Sequence, residues 1–120
     1  MSKRVVIADD ADFHRTVLKD ILTKGGFDVV AEAANGEEAV SHARALGPDI
    51  VILDIVMPLM NGIEAAREIR LLEPPVKIIM CTSLGFEPIV EEALKSGACA
   101  YIVKPLSEKK VLAVLHGLKD

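Results

Sequence analysis

The six residues Asp49-Ile50-Val51-Ile52-Leu53-Asp54 decide the fold. Four consecutive apolar side chains do not alternate with polar ones, so a strand made of them is covered on both faces, as in a parallel sheet between helices. Four further runs have a similar character: Arg4 to Ala8, Phe27 to Ala33, Val76 to Thr82 and Ala100 to Val103. Between the runs, apolar residues recur at helical spacing. Phe13, Val17, Leu18, Ile21 and Leu22 form one stripe ending at Gly25 and Gly26, and Ala39, Val40, Ala43 and Leu46 form a second before Gly47 and Pro48. Ile63, Ala66, Ile69 and Leu72 mark a third before Pro74 and Pro75, and Ile89, Val90, Ala93 and Leu94 a fourth ending at Gly97. The fifth starts at Ser107, a good helix cap, and runs through Val111, Val114, Leu115 and Leu118. Strict alternation predicts an α/β fold: a five-stranded parallel sheet in the order 2-1-3-4-5, with right-handed crossovers and five helices on both faces.

At 120 residues and 12.9 kDa the chain matches one domain, spanning 1–120, with one hydrophobic core. The longest apolar stretch, Ile50 to Met60, is broken by Asp54 and Pro58, so no segment is suited to spanning a bilayer. Lys3 and Arg4 are followed by four apolar residues before Asp9, too few for a secretory signal, and the chain reads as cytoplasmic. A net charge of −4 and 3% aromatic residues argue against direct nucleic-acid binding. Cys81 and Cys99 have neither zinc-site nor disulfide spacing, and both read as buried thiols.

In an open parallel sheet the working crevice lies outside the carboxyl ends of the strands. Strand one ends in Asp9 and Asp10, strand three in Asp54, strand four in Thr82 with Ser83, and strand five in Lys104 followed by Pro105. Singly, these residues have ordinary accounts: a helix cap, a strand threonine, a solvated lysine. Their convergence on one edge changes the weighing. Three carboxylates at close quarters repel one another and call for a compensating cation, and oxygen donors without His or Cys select a hard ion such as Mg2+. Lys104 adds a second positive charge. One nucleophilic carboxylate, a divalent cation, a lysine and a hydroxyl suit the receipt of a phosphoryl group: Asp54 attacks in line, Mg2+ and Lys104 neutralise the phosphoryl oxygens, and Thr82 donates a hydrogen bond.

At these residues the sequence resembles the receiver domains of two-component response regulators, and among them the single-domain chemotaxis type, whose fold is flavodoxin-like. The resemblance runs through Ile7-Ala8-Asp9-Asp10, Asn35-Gly36-Glu37-Glu38-Ala39, Pro48-Asp49-Ile50-Val51, Asp54-Ile55-Val56-Met57-Pro58, Asn61-Gly62 and Lys104-Pro105. It implies that Asp54 is the phospho-acceptor, Asp10 a direct Mg2+ ligand, Asp9 a ligand through water and the backbone carbonyl of Val56 a further ligand. Thr82 and Lys104 match the family's site hydroxyl and lysine, and Tyr101 its switch aromatic. A cis Lys104–Pro105 peptide is also implied. The implied phosphoryl donor is a phosphohistidine on a sensor histidine kinase. The implied output is a changed surface on the fourth helix, fifth strand and fifth helix, including Tyr101, Lys104, Lys109 and Lys110. An output protein binds there, the flagellar motor switch being one candidate.

Some positions depart from the common pattern. Val56 and Leu84 are apolar where many relatives carry side chains that affect attacking water, which predicts slow self-dephosphorylation. Leu106 stands where an aromatic is frequent. His14 reads as an exposed helix histidine, with a gate at the site entrance as its alternative, and His42 and His116 have no evident partner. Three other readings compete. A receiver cut from a longer regulator shares the fold, although an end at Lys119 and Asp120 without a linker favours a stand-alone protein. A phosphatase of the haloacid dehalogenase type needs a second Asp where Val56 stands, and a flavodoxin-like flavin binder would find its phosphate repelled by Asp9, Asp10 and Asp12.

Overall fold

The computed structural model describes residues 2–118. Strands and helices alternate as β1 (Arg4–Ala8), α1 (Asp12–Lys24), β2 (Asp28–Ala33), α2 (Gly36–Leu46), β3 (Ile50–Leu53), α3 (Gly62–Ile69), β4 (Lys77–Thr82), α4 (Glu87–Lys95), β5 (Ala98–Val103) and α5 (Glu108–His116). The strands form one sheet in the order β2-β1-β3-β4-β5, every neighbouring pair parallel. The expected architecture is therefore present. Lys119 and Asp120 lie outside the described residues.

Successive residues of a strand face opposite sides of the sheet, and the core divides accordingly. Val5, Ile7, Ile50, Ile52, Ile79 and Ile102 face α1 and α5, where Leu22 and Val111 meet them. Val6, Val51, Leu53, Ile78 and Met80 face the other way, against α2, α3 and α4. This two-sided burial is why β3 is a continuous apolar run. The edge strands differ: β2 keeps only Ala33 fully buried, and β5 only Ala98 and Ile102.

β5 begins at Ala98, two residues ahead of the expected start, because its register against β4 slips between Ile78 and Ile79, which pair with Ala98 and Ala100. Cys99 is the residue left between those partners. It is exposed, so the expectation of two buried thiols holds only for Cys81, whose thiol burial pushes up to about 12. The third helical stripe also ends earlier than expected. After Ile69 the chain tightens, with Leu71 and Leu72 donating to the carbonyls of Glu68 and Ile69 three residues back, so Leu72 packs on the core from outside the helix.

Helix starts decide how firmly each loop at the carboxyl edge is held. Asn61 accepts from the Glu64 N–H at 2.9 Å while Glu64 Oε1 accepts from the Asn61 N–H at 3.0 Å, a reciprocal cap on α3. Asn35 caps α2 through the Glu38 N–H at 2.8 Å, and Ser107 caps α5 through the Lys110 N–H at 3.1 Å. The N-cap position of α4 is Phe86, whose side chain accepts no capping hydrogen bond. Two glycines interlock the β2–α2 and β3–α3 loops. A Cβ on Gly62 would lie 2.2 Å from the Asp54 carbonyl oxygen, and one on Gly36 would lie 2.2 Å from the Met60 carbonyl oxygen. No helix among the described residues is long and apolar enough to cross a membrane.

Candidate functional site

Asp9, Asp10 and Asp54 emerge together where β1 and β3 end, each offering an oxygen within 4.8 Å of the others. Asp9 and Asp54 are buried and Asp10 is exposed. Their placement is a backbone matter. The Asp9 N–H donates to the Ala33 carbonyl at 3.0 Å, and the Asp54 N–H donates to the Ala8 carbonyl at 2.9 Å, so hydrogen bonding to neighbouring strands extends to the acidic residues themselves. Asp9 Oδ1 accepts from the Ala11 N–H at 2.9 Å, and Asp54 Oδ1 accepts from the Val56 N–H at 3.3 Å. Arg15 steadies the Asp9 carbonyl from α1 at 2.6 Å, and its guanidinium also meets Asp12 and Glu32.

Lys104 reaches this cluster from the far edge. Its backbone N–H donates to the Thr82 carbonyl at 2.8 Å, next to the cis Lys104–Pro105 bond. A second cis peptide, Glu73–Pro74, lies outside the site. The Lys104 ammonium donates to Asp9 Oδ2 at 2.7 Å and to Asp54 Oδ2 at 2.9 Å, with the lysine side chain 10% exposed. Burial alone would raise the Asp9 carboxyl, but the hydrogen bonds from Lys104 and Ala11, with the nearby charge of Lys104, hold it below its ordinary range. Burial alone would lower the Lys104 ammonium; the Asp9 and Asp54 carboxylates outweigh that and raise it.

Thr82 is fully buried, and its hydroxyl accepts from the Leu84 N–H at 3.5 Å. Tyr101 is half-buried on β5, and its hydroxyl donates to the Leu84 carbonyl. Burial first, and then the Asp54 carboxylate, raise the phenol above its ordinary value. Thr82 and Tyr101 thus both bear on Leu84, in the loop between β4 and α4.

The donor set suits a hard divalent ion. The clustered acids offer carboxylate oxygens, and an ammonium already rests on two of them, so the geometry accommodates concentrated positive charge. When bound, Mg2+ supplies charge neutralisation for phosphoryl oxygens. Asp9, Asp10 and Asp54 are the side chains that would hold it.

Comparison with known proteins agrees with this arrangement. Residues 5–116 match the response regulator receiver domain family, and the chain belongs to that family. It is 51% identical over 116 residues to the chemotaxis protein CheY of Thermotoga maritima, covering 97% of each chain. It is 45% identical to the chemotaxis protein CheY of Bacillus subtilis, again covering 97% of each. A chain in the crystal structure of the CheX–CheY–BeF3–Mg2+ complex from Borrelia burgdorferi superposes with a TM-score of 0.90 at 38% identity, over 98% of this chain and 90% of that one. The protein is thus a CheY-type receiver domain of two-component signalling, a class of molecular switch that binds Mg2+ in its acid pocket. Membership of this family sets aside the phosphatase and flavin readings.

Two contacts escaped the sequence, although the alternative reading of His14 set it at the site entrance. His14 is not a solitary helix residue: its Nδ1 lies 2.9 Å from the Lys104 ammonium and 3.4 Å from Asp9 Oδ2. His116 stacks on Phe27 with ring centroids 5.4 Å apart. A histidine in the first turn of α1 carried no motif. Side chains lean toward the N-terminus of their helix, however, and that end of α1 abuts the site.

Proposed function

We propose that the chain takes a phosphoryl group from a phosphohistidine of a sensor histidine kinase onto Asp54, with Mg2+ held by Asp9, Asp10, Asp54 and the Val56 carbonyl. The observation that carries this reading is the Lys104 ammonium bridging Asp9 and Asp54 beside a third carboxylate. An Asp54 oxygen attacks phosphorus as the bond to the histidine nitrogen breaks. That nitrogen leaves with the bonding pair and takes a proton from solvent, and the product is an aspartyl phosphate. Lys104 donates to the incoming phosphoryl oxygens, and Thr82 turns its hydroxyl toward them. The domain promotes its own modification and turns over no further substrate.

Movement of Thr82 reaches Tyr101 through Leu84, which both contact. The output surface is then α4, β5 and α5, where Phe86, Leu94 and Val103 are exposed beside Lys109 and Lys110. A partner that binds the phosphorylated form better pulls the equilibrium toward it. Chemotaxis is the setting this reading favours, with the flagellar motor switch as a candidate partner and the cytoplasm as the compartment. The same domain would serve as the receiver of a larger regulator. Val56 and Leu84 offer no side-chain hydrogen bond to an attacking water, so the aspartyl phosphate is long-lived; replacing both by polar residues should shorten its lifetime.

Incubation with acetyl phosphate and Mg2+, followed by intact mass, tests the assignment. The native chain gains one phosphoryl group, and Asp54→Asn gains none. A phosphoryl group retained on the variant moves the acceptor elsewhere.

A further inference from the structure

The Lys104 ammonium has three protons and three polar atoms within reach: Asp9 Oδ2 at 2.7 Å, Asp54 Oδ2 at 2.9 Å and His14 Nδ1 at 2.9 Å, the last also 3.4 Å from Asp9 Oδ2. The two carboxylates pull the ammonium toward the floor of the site. His14 approaches from α1, on the wall of a cleft of about 260 Å³ lined also by Phe13, Val17, Lys104, Pro105 and Leu106. We propose that His14 is a positioning residue, its Nδ1 accepting the third ammonium proton and so fixing where Lys104 meets an incoming phosphoryl group. This inference rests on the reading of Asp54 as acceptor.

Phosphoryl transfer changes the charge at Asp54. An arriving phosphoryl group brings new anionic oxygens, and an ammonium on a flexible four-carbon stem can follow any of them. Two of its three anchors are carboxylates that the same event engages. His14 is the one acceptor that takes no part in the chemistry, so it keeps a fixed reference for the lysine while the others change. Catalytic hydrogen bonds act through preorganisation, and a donor free to wander loses part of its effect. With Nδ1 accepting, the ring proton sits on Nε2.

Substitutions separate the atom from the side chain. Asn places an amide oxygen as many bonds from Cα as His places Nδ1, whereas Gln places its amide one bond further along, near the position of Nε2. His14→Asn should therefore keep the contact, and His14→Gln and His14→Ala should lose it. Phosphorylation by acetyl phosphate at saturating Mg2+ is expected to slow on the order of five- to tenfold in maximal rate for the Gln and Ala variants, the size of one ordinary net hydrogen bond. Half-saturation by the donor should stay put, and the Asn variant should run close to native.

An independent readout is solvent exchange of the Lys104 ammonium protons by NMR, slow in the native chain and the Asn variant and faster in the other two. Equal maximal rates and equal exchange across all four proteins overturn the proposal, as does an Asn variant that behaves like Ala. If the native chain takes no phosphoryl group on Asp54, the functional reading fails by itself, and the exchange measurement still decides whether His14 holds Lys104.

Discussion

The corner that carries Asp54 and the corner that carries Thr82 and Tyr101 share one plan, a strand feeding a loop and then a helix, yet they are held to different degrees. After β3 the loop is locked by the reciprocal cap of Asn61 and Glu64, by the tight seat of Gly62 against the Asp54 carbonyl, and by an α3 that buries five of its eight residues. After β4 the next helix has no side-chain cap, buries only Ala93, and exposes Phe86 and Leu94. Asp54, the proposed acceptor, is thus fixed by backbone geometry, while the side chains of Thr82 and Tyr101, proposed to respond, share hydrogen bonds to one loop. Regions with few buried contacts open at lower free energy, so the second corner can change without disturbing the first.

Lys104 ties the corners together, so Lys104→Met should have the largest effect. It leaves Asp9 and Asp54 facing each other without a cation, which should cost about 3 kcal/mol in urea unfolding and slow phosphorylation roughly a hundredfold. The pH dependence should also reverse. In the native chain Asp9 is held below its ordinary 3.8, so its contribution is present above that value and fades as pH falls through the folded value. Lys104 is held above its ordinary 10.5, so its contribution is complete below that value and fades as pH rises through the folded one. The native chain should therefore lose this contribution on acidification, whereas the variant should gain stability from about pH 7 to about pH 5 as proton uptake relieves the repulsion.

Next in size is a matched pair of glycine substitutions. Gly62→Ala forces a Cβ against backbone and should destabilise by about 2–3 kcal/mol while lowering the phosphorylated fraction. Gly85→Ala, in the β4–α4 loop, comes nearest to the Val103 side chain, at 3.3 Å, and should cost under about 1 kcal/mol. Equal unfolding midpoints for the two would remove the contrast.

Helix caps give a smaller test. Asn61→Ala should destabilise by about 1 kcal/mol, and Phe86→Ser, which supplies the missing cap on α4, should stabilise by about 0.5–1 kcal/mol while blunting any phosphorylation-dependent change at Tyr101. Tyrosine fluorescence with and without acetyl phosphate would report it. The smallest effect is expected at Leu59, 77% exposed with a φ of 67°: Leu59→Asn, better suited to that backbone, should add roughly 0.5 kcal/mol in thermal unfolding.

The contrast between corners also explains what the sequence disclosed. Central strands such as Ile50–Leu53 are legible because burial on both faces leaves no polar residue to confuse the period. Asp9, Asp10, Asp54 and Lys104 are legible as strand-end residues, since the order of a parallel sheet alone brings them to one edge. β5 is less so, because a register slip leaves no mark in composition. The contact from His14 to Lys104 spans 90 positions and depends on how α1 sits over the sheet, and the partner of Tyr101 is a backbone carbonyl, which any residue supplies.

The slip in β5 has a practical use. It turns one of the chain's two thiols outward, two residues from Tyr101, while the other stays sealed in the core with its ionisation suppressed. A maleimide dye would therefore attach at Cys99 alone in the unaltered protein, placing a label on the strand proposed to respond without engineering.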